Sequence, residues 1–281
     1  MNPVKAHLRM GAKIMSESLE LNKIYHGDCL AGLRSMPSDF IDLTVTSPPY
    51  DNLRHYNGNS TWDFEGISAE LYRVTKPGGV VVWIVGDSTV NGSESCTSFK
   101  QALRFREVGF NLNDTMIWQK ICQYQHPVRY IQAHEYMFIF SKGRPKNVNP
   151  LRDRKNSRAG QKINGTERQA DGRLKKQAGA KVGRVIREYG ARLNIWDILP
   201  NCNNKTNHPA TFPVQLARDH IITWSALGDT VLDPFMGSGT TAIACIETGR
   251  NYIGFEIDEA YHAEAVARVG EFEQRSGGAD G

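Results

Sequence analysis

The stretch that most constrains the fold lies near the C-terminal end: Val231-Leu232-Asp233-Pro234-Phe235-Met236-Gly237-Ser238-Gly239-Thr240-Thr241. An apolar pair runs into Asp-Pro-Phe, then Gly-x-Gly, then a helix-ready run from Thr240 to Cys245. That order predicts a strand, a tight glycine loop and a helix. Glycine at 237 and 239 lets the backbone approach a ligand and take dihedrals that a Cβ forbids. A second strand follows over Tyr252 to Asp258, with Glu256 where nucleotide-binding α/β units carry a ribose-binding carboxylate. A glycine pair alone marks a turn in any α/β protein. With Asp233-Pro234-Phe235 before it and Glu256 after it, the pattern points to an adenosyl cofactor site.

The rest of the chain supplies the strands such a site needs. Lys23 to Leu30 reads as a short strand ending in Gly27-Asp28, then a helix through Leu33. Phe40 to Thr46 is a second strand, cut off by Ser47-Pro48-Pro49-Tyr50, because two prolines cannot continue a central strand. In open parallel sheets the edge where that chain leaves is the edge where ligands bind. A helix over Ile67 to Val74 stops at Lys76-Pro77-Gly78-Gly79, and Val80 to Val85 is a strand buried on both faces. Phe99 to Val108 reads as a helix. Thr115–Gln119 and Tyr136–Ser141 read as the last two strands of the sheet, paired like a hairpin. Asn194 to Pro200 is extended, Val214 to Trp224 is helical, and Glu259 to Arg275 is a final amphipathic helix.

At 281 residues, with 40% hydrophobic and 23% charged residues, the chain buries one large α/β core with insertions. It has no apolar run long enough for a membrane helix and no secretory signal at its start. Its five cysteines are scattered without a C-x-x-C pair, which speaks against a metal site or a disulfide framework. The net charge of +4 hides an asymmetry. Fifteen Lys and Arg against five Asp and Glu lie between Arg144 and Pro200, an excess of +10, which leaves about −6 for the rest. A polyanion-facing insert on a mildly acidic body has this pattern. Apolar periodicity nearly vanishes there, as in a disordered linker or a segment that orders on a partner.

Asp233 to Thr241 and Thr46-Ser47-Pro48-Pro49-Tyr50 together resemble the amino-methyltransferases of DNA. Those enzymes use S-adenosylmethionine (AdoMet) to methylate adenine N6 or cytosine N4. The catalytic motif precedes the basic insert and the glycine motif follows it, an order similar to the circularly permuted β class. The resemblance runs from Lys23 to about Ala267. It implies a Rossmann-like AdoMet-dependent fold, α/β with a mostly parallel doubly wound sheet. It divides the chain into a flexible tail (1–20), a catalytic half (21–143), a basic target-recognition insert (144–193), an AdoMet-binding half (194–275) and a second tail (276–281).

The same resemblance implies residue roles. Ser47, Pro48, Pro49 and Tyr50 form the catalytic motif: Tyr50 would stack on a flipped base, and the Ser47 hydroxyl and Pro48 carbonyl would accept hydrogen bonds from its amino group. Backbone around Asp233, Phe235, Gly237, Ser238, Gly239 and Thr240 would cradle the cofactor. Glu256 would take the ribose hydroxyls, and Asp28 and Cys29 would lie near the adenine. His208 and Thr211 fall in the family's His-Pro segment beside the cofactor, where many relatives have a lysine at the position of Phe212. Arg54, Arg152, Arg154, Lys155, Arg158, Lys162, Arg168, Arg173, Lys175 and Lys176 would contact double-stranded DNA, mostly its phosphates. A homodimer without metal or membrane association, cytoplasmic and nucleoid-associated in a bacterium or phage, completes what the family implies. Ser at the head of Ser-Pro-Pro-Tyr is commoner in cytosine-N4 enzymes. The runs Tyr50 to Tyr56 and Asp114 to Lys120 look like adenine enzymes, and adenine N6 is preferred on that ground. Methylation of RNA or a protein amide, or a catalytically silent DNA binder, are the competing classes.

Overall fold

Alternate residues of the central strands point to opposite sides of one sheet, and among the described residues each side is covered by three helices. The computed structural model describes residues 19–49, 62–120, 128–176, 182–200 and 212–277. The chain divides into two units, one formed by 1–149 with 194–281 and the other by Pro150–Leu193.

The sheet strands of the larger unit are β1 (Lys23–His26), β2 (Ile41–Thr46), β3 (Thr75–Val85), β6 (Asn111–Gln119), β7 (His134–Ser141), β12 (Ile195–Asp197), β13 (Thr230–Asp233) and β14 (Asn251–Glu256). They form one eight-stranded sheet in the order β1-β14-β13-β2-β3-β7-β6-β12. Between β3 and β6 a small separate hairpin pairs β4 (Thr89–Val90) with β5 (Ser93–Glu94). β7 runs antiparallel to both its neighbours, β3 and β6, and every other pairing in the large sheet is parallel. The helices are α1 (Cys29–Ser35), α2 (Phe64–Val74), α3 (Thr97–Glu107), α4 (Val214–Trp224), α5 (Thr240–Thr248) and α6 (Glu259–Gly277).

Val80, Val82 and Ile84 of β3 join Leu216 and Ile221 of α4, Ala242 of α5 and Ala265 of α6 in one core. Val81, Trp83 and Val85 face the other way, onto Leu33 of α1, Leu71 of α2 and Phe105 of α3. This alternation follows from the two-residue period of a strand covered on both faces. It explains why Val80 to Val85 is a continuous apolar run.

Several boundaries differ from the sequence reading for physical reasons. β3 begins at Thr75 and carries Lys76-Pro77-Gly78-Gly79 as a bulge, because pairing with β2 jumps from Ile41↔Thr75 to Leu43↔Val80. Gly78 makes the bulge possible with φ +82, and its N–H donates to the Lys142 carbonyl at 2.7 Å. β6 and β7 do pair as a hairpin, but β6 is not the edge of the sheet: β12 adds to it in parallel. Leu19 packs against the core and the Glu20 N–H donates to the Tyr25 hydroxyl, so residues 19 and 20 are anchored. α6 continues to Gly277, past Arg275, where the sequence pattern ended it. Among the described residues no helix is long and apolar enough to cross a membrane.

The smaller unit is built from strand pairs β8 (Arg154–Lys155) with β11 (Tyr189–Gly190) and β9 (Thr166–Arg168) with β10 (Leu174–Lys176). Backbone bonds such as Ile163 N–H to Arg184 O (2.9 Å) and Gly160 N–H to Ile186 O (3.0 Å) extend these ladders. None of its described apolar side chains is buried, and Leu174, Val185 and Tyr189 are exposed. Main-chain pairing, rather than a core, holds it.

Close approach of α1 to β14 requires Gly32, because a Cβ there would overlap the fully buried Phe255 ring. Gly32→Ala is therefore expected to lower unfolding stability by ~1–3 kcal/mol through overpacking. Urea denaturation with an unchanged slope would measure this, and an unaltered midpoint would refute it.

Candidate functional site

β13 leads through α5 to β14 on one side of the sheet order, whereas β2 leads through α2 to β3 on the other. β13 and β2 are therefore the point where the winding reverses, and they lie side by side with Val231↔Leu43 and Leu232↔Thr44 in register. The crevice beyond the carboxyl ends of strands at such a reversal is the usual ligand position in open α/β sheets. Both sequence motifs emerge there: Ser47-Pro48-Pro49 after β2, and Pro234 to Gly239 after β13.

The two motifs are joined through the Asp233 carboxylate, which is buried. Its Oδ1 accepts the Thr46 hydroxyl at 2.6 Å and the Phe235 N–H at 3.1 Å, and its Oδ2 accepts the Thr241 hydroxyl at 2.6 Å. Burial pushes its pKa up to about 6, against the opposing pull of these three donors. The side chain of Asp233 is thus spent on the protein, and only its backbone is left for a cofactor role.

The glycine loop is fixed from two further directions. Gly237 N–H donates to Glu256 Oε2 at 2.8 Å, and Asp258 N–H donates to Oε1 at 2.9 Å. Burial raises the Glu256 carboxyl above its ordinary range despite those bonds. A carboxylate offers about four lone-pair sites, so two backbone donors leave capacity for two hydroxyls. On the other side, Arg268 Nη1 of α6 donates to the Ser238 carbonyl (2.7 Å), the Ser238 hydroxyl (3.1 Å) and the Thr240 hydroxyl (3.2 Å). Gly239 has φ +79, and a Cβ on it would press against Val269 and the Ala265 carbonyl of the same helix. The loop therefore needs glycine both for its dihedral and for the approach of α6.

Phe235 points into an aromatic group, edge-on to Trp62 at 5.2 Å and to Trp83 at 6.2 Å. At the neighbouring strand end, Gly27 N–H donates to the Glu256 carbonyl at 2.9 Å, which places Asp28 beside Glu256. Asp28 Oδ1 caps α1 by accepting the Ala31 N–H at 2.9 Å. Cys29 is buried, and burial with the adjacent Asp28 pushes its thiol well above its ordinary pKa, so it is a packing residue and not a nucleophile.

The structure brings together Ser47, Pro48, Pro49, Asp28, Cys29, Asp233, Phe235, Gly237, Ser238, Gly239, Thr240 and Glu256 at one sheet edge. Tyr50, Arg54, His208 and Thr211 lie outside the described residues. Arg152, Arg154, Lys155, Arg158, Lys162, Arg168, Arg173, Lys175 and Lys176 are all exposed in the smaller unit. Arg192 of that unit is tied to Asp153 and holds its carboxyl below the usual range. Sequence reasoning missed Thr46, Thr241, Trp62 and Arg268. The first two were signalled only by being polar where a strand end and a helix start are buried.

A family model described as DNA methylase, of the N6/N4 type, matches residues 41–267. The orphan methyltransferase M.BamHII of Bacillus amyloliquefaciens is 53% identical over 233 residues, covering 79% of this chain and 85% of that protein. The type II methyltransferase M.MjaI of Methanocaldococcus jannaschii is 30% identical over 246 residues, covering 80% and 71%. Among solved structures, the PvuII DNA methyltransferase (cytosine-N4-specific) superposes with a TM-score of 0.64 at 21% identity, covering 92% and 93% of the two chains. M1.HpyAVI in its SAM complex gives 0.57 at 22%, covering 88% and 98%. Both share this Rossmann-like arrangement.

Because Asp233 titrates at about 6 in the fold and near 4 when unfolded, the native state binds more protons between those values. Its contribution to stability therefore falls as pH rises from about 4 to about 6. Relative to Asp233→Asn, the wild-type unfolding free energy is expected to decline by on the order of 2–3 kcal/mol across that window. Denaturant titrations at several pH values check this, and a flat difference would contradict the raised pKa.

Proposed function

The chain belongs to the DNA methylase family of N6 and N4 type, and we propose that it is a site-specific DNA methyltransferase whose target is the exocyclic amino group of a base flipped from the duplex. S-Adenosylmethionine is its cofactor. The observation that carries the reading is the junction at Asp233, which puts the exit of β2 next to the glycine loop although the two are separated by 187 residues.

The residues suit the chemistry. Glu256, with free lone pairs in a buried place, is fitted to receive ribose hydroxyls, and the braced loop at 235–240 leaves backbone close to the ligand edge. The cofactor supplies a methyl group on a sulfonium, which needs no further activation. Ser47 and the Pro48 carbonyl then serve to accept hydrogen bonds from the amino group. This exposes the nitrogen lone pair and stabilises the positive charge that develops on it. As the nitrogen–carbon bond forms, the carbon–sulfur bond would break to leave a neutral thioether, and the amino proton, acidic only as that charge develops, would pass to water, so no strong base is required. Tyr50 stacks on the extruded ring, and much of the rate comes from alignment.

The choice of base rests on fewer residues. The run Asp114 to Lys120, which favoured adenine, covers the second half of β6 and the residue after it, and two of its side chains are engaged in the core. There Met116 and Trp118 are buried, Trp118 Nε1 donates to the Ile198 carbonyl at 2.8 Å, and Lys120 pairs with Glu135. Core packing therefore accounts for Met116 and Trp118 without a part in choosing the base. Ser47 at the head of the catalytic motif then weighs more, and we take cytosine N4 as the target, with adenine N6 as the second reading on the run Tyr50 to Tyr56. Methyl transfer from labelled AdoMet to unmethylated DNA, digested to nucleosides for mass spectrometry, is expected to yield N4-methylcytosine. N6-methyladenine would keep the mechanism and reverse the base, and no labelled nucleoside would overturn the reading. In the same assay Ser47→Ala is expected to lower kcat by roughly 10- to 100-fold, through removal of one hydrogen bond to a developing charge, with AdoMet affinity unchanged.

The basic unit supplies the DNA-facing surface in this reading. Its exposed Lys and Arg sit on short ladders whose side chains are free of any apolar core, as suits phosphate contact. Replacing Arg168, Arg173, Lys175 and Lys176 by Ala is expected to flatten the plot of log binding constant against log salt, by about 0.9 for each phosphate no longer neutralised. An unaltered slope would place the DNA surface elsewhere.

A further inference from the structure

We propose that Asp233 is a positioning residue that couples the cofactor loop to the segment bearing Ser47, with Thr46 and Thr241 as its two hydroxyl arms. The inference rests on the methyltransferase reading for its consequence, but its geometry stands apart from it. Thr46 is the last residue of β2, and the next three residues belong to no strand. Pro48 and Pro49 have no N–H, so they can donate no backbone bond to fix the exit of the chain. The Thr46 side chain supplies an anchor at that point, bonded to Asp233 Oδ1 at 2.6 Å.

The same carboxylate is bonded to both ends of the other motif. Phe235 N–H, at the start of the glycine loop, shares Oδ1, and Thr241, at the start of α5, holds Oδ2. One rigid planar group therefore spans β2, the loop and α5. Two apolar side chains would fill the space more cheaply, because a buried carboxylate must have its lone pairs satisfied. What a carboxylate adds is direction, because each of its bonds weakens steeply off its preferred angle. The groups facing it are Thr46 on β2, Thr241 and Cys245 on α5, the Phe235 amide and Glu256 on β14. Hydroxyls and an amide thus make its direct bonds, and a shift of the loop on binding cofactor is passed to Thr46 through the carboxylate, beside the longer bond from the Thr241 hydroxyl to the Val45 carbonyl at 3.5 Å and the pairing of β2 with β13.

Thr46 lies outside the residues assigned to base or cofactor contact, so Thr46→Val tests the link with little change in shape. Hydrogen–deuterium exchange with and without AdoMet reads it directly. In the wild type, AdoMet should slow exchange both at 235–243 and at 41–47. In Thr46→Val, the slowing at 235–243 should persist and that at 41–47 should disappear, while Thr46→Ser should restore both. AdoMet affinity by calorimetry is expected to stay within about twofold, whereas single-turnover methyl transfer falls by roughly tenfold or more, as small misalignments do. Thr241→Val cuts the other arm and is expected to uncouple in the same way, which keeps the test open should Thr46→Val not fold. Slowing at 41–47 that survives in the Val variants, or its absence in the wild type, would overturn the proposal. Coupled exchange in a wild type that methylates no DNA would support the coupling and defeat the reading of the substrate.

Discussion

Three neutral donors, two hydroxyls and one amide, hold the buried Asp233 carboxylate, and the remaining features of the site are arranged around that group. A desolvated carboxylate tolerates little displacement of its donors, since losing one leaves a buried charge partly unsatisfied. That intolerance adds to the strand pairing in holding β2 and β13 together at their carboxyl ends. It also fixes where Ser47 begins and where α5 starts. The closeness of the two motifs is therefore a built feature rather than an accident of neighbouring loops.

The glycine loop would be slack without its other supports. Glu256 takes the Gly237 N–H from one side, and Arg268 takes the Ser238 carbonyl from the other. These contacts belong to elements later in the chain than the loop itself, β14 and α6, so the loop is shaped only when the whole C-terminal half has packed. Aromatic packing of Phe235 on Trp62 and Trp83 ties the same loop to the face of the sheet covered by α1 to α3.

Two kinds of structure meet different physical demands in this chain. The larger unit buries apolar side chains on both faces of a sheet and can hold side chains to hydrogen-bond precision. The smaller unit has no buried apolar side chain among its described residues and relies on main-chain ladders. Precision suits the transfer of a methyl group, where alignment governs rate. Long exposed Lys and Arg side chains suit a polyanion, where charge matters more than exact placement.

By itself the sequence determined the class of fold, because apolar runs broken by Gly and Pro leave few alternatives to strands feeding helices. Val80 to Val85, Val214 to Trp224 and Val231 to Thr241 all lie where their patterns predict. It also marked the two motifs and the basic segment, whose signals are local. The bulge at Lys76 to Gly79 was hidden, since Pro-Gly-Gly reads as a break until a partner strand makes it a bulge. The edge position of β12 depends on pairing with β6, some eighty residues earlier, as the bond from Trp118 to Ile198 spans 80 positions. Thr46 and Thr241 stand inside the two motifs, yet nothing local names Asp233 as their partner, and Arg268 carries no local signal at all. Their meaning comes from partners far away in the chain, and only tertiary packing brings such partners within hydrogen-bond distance.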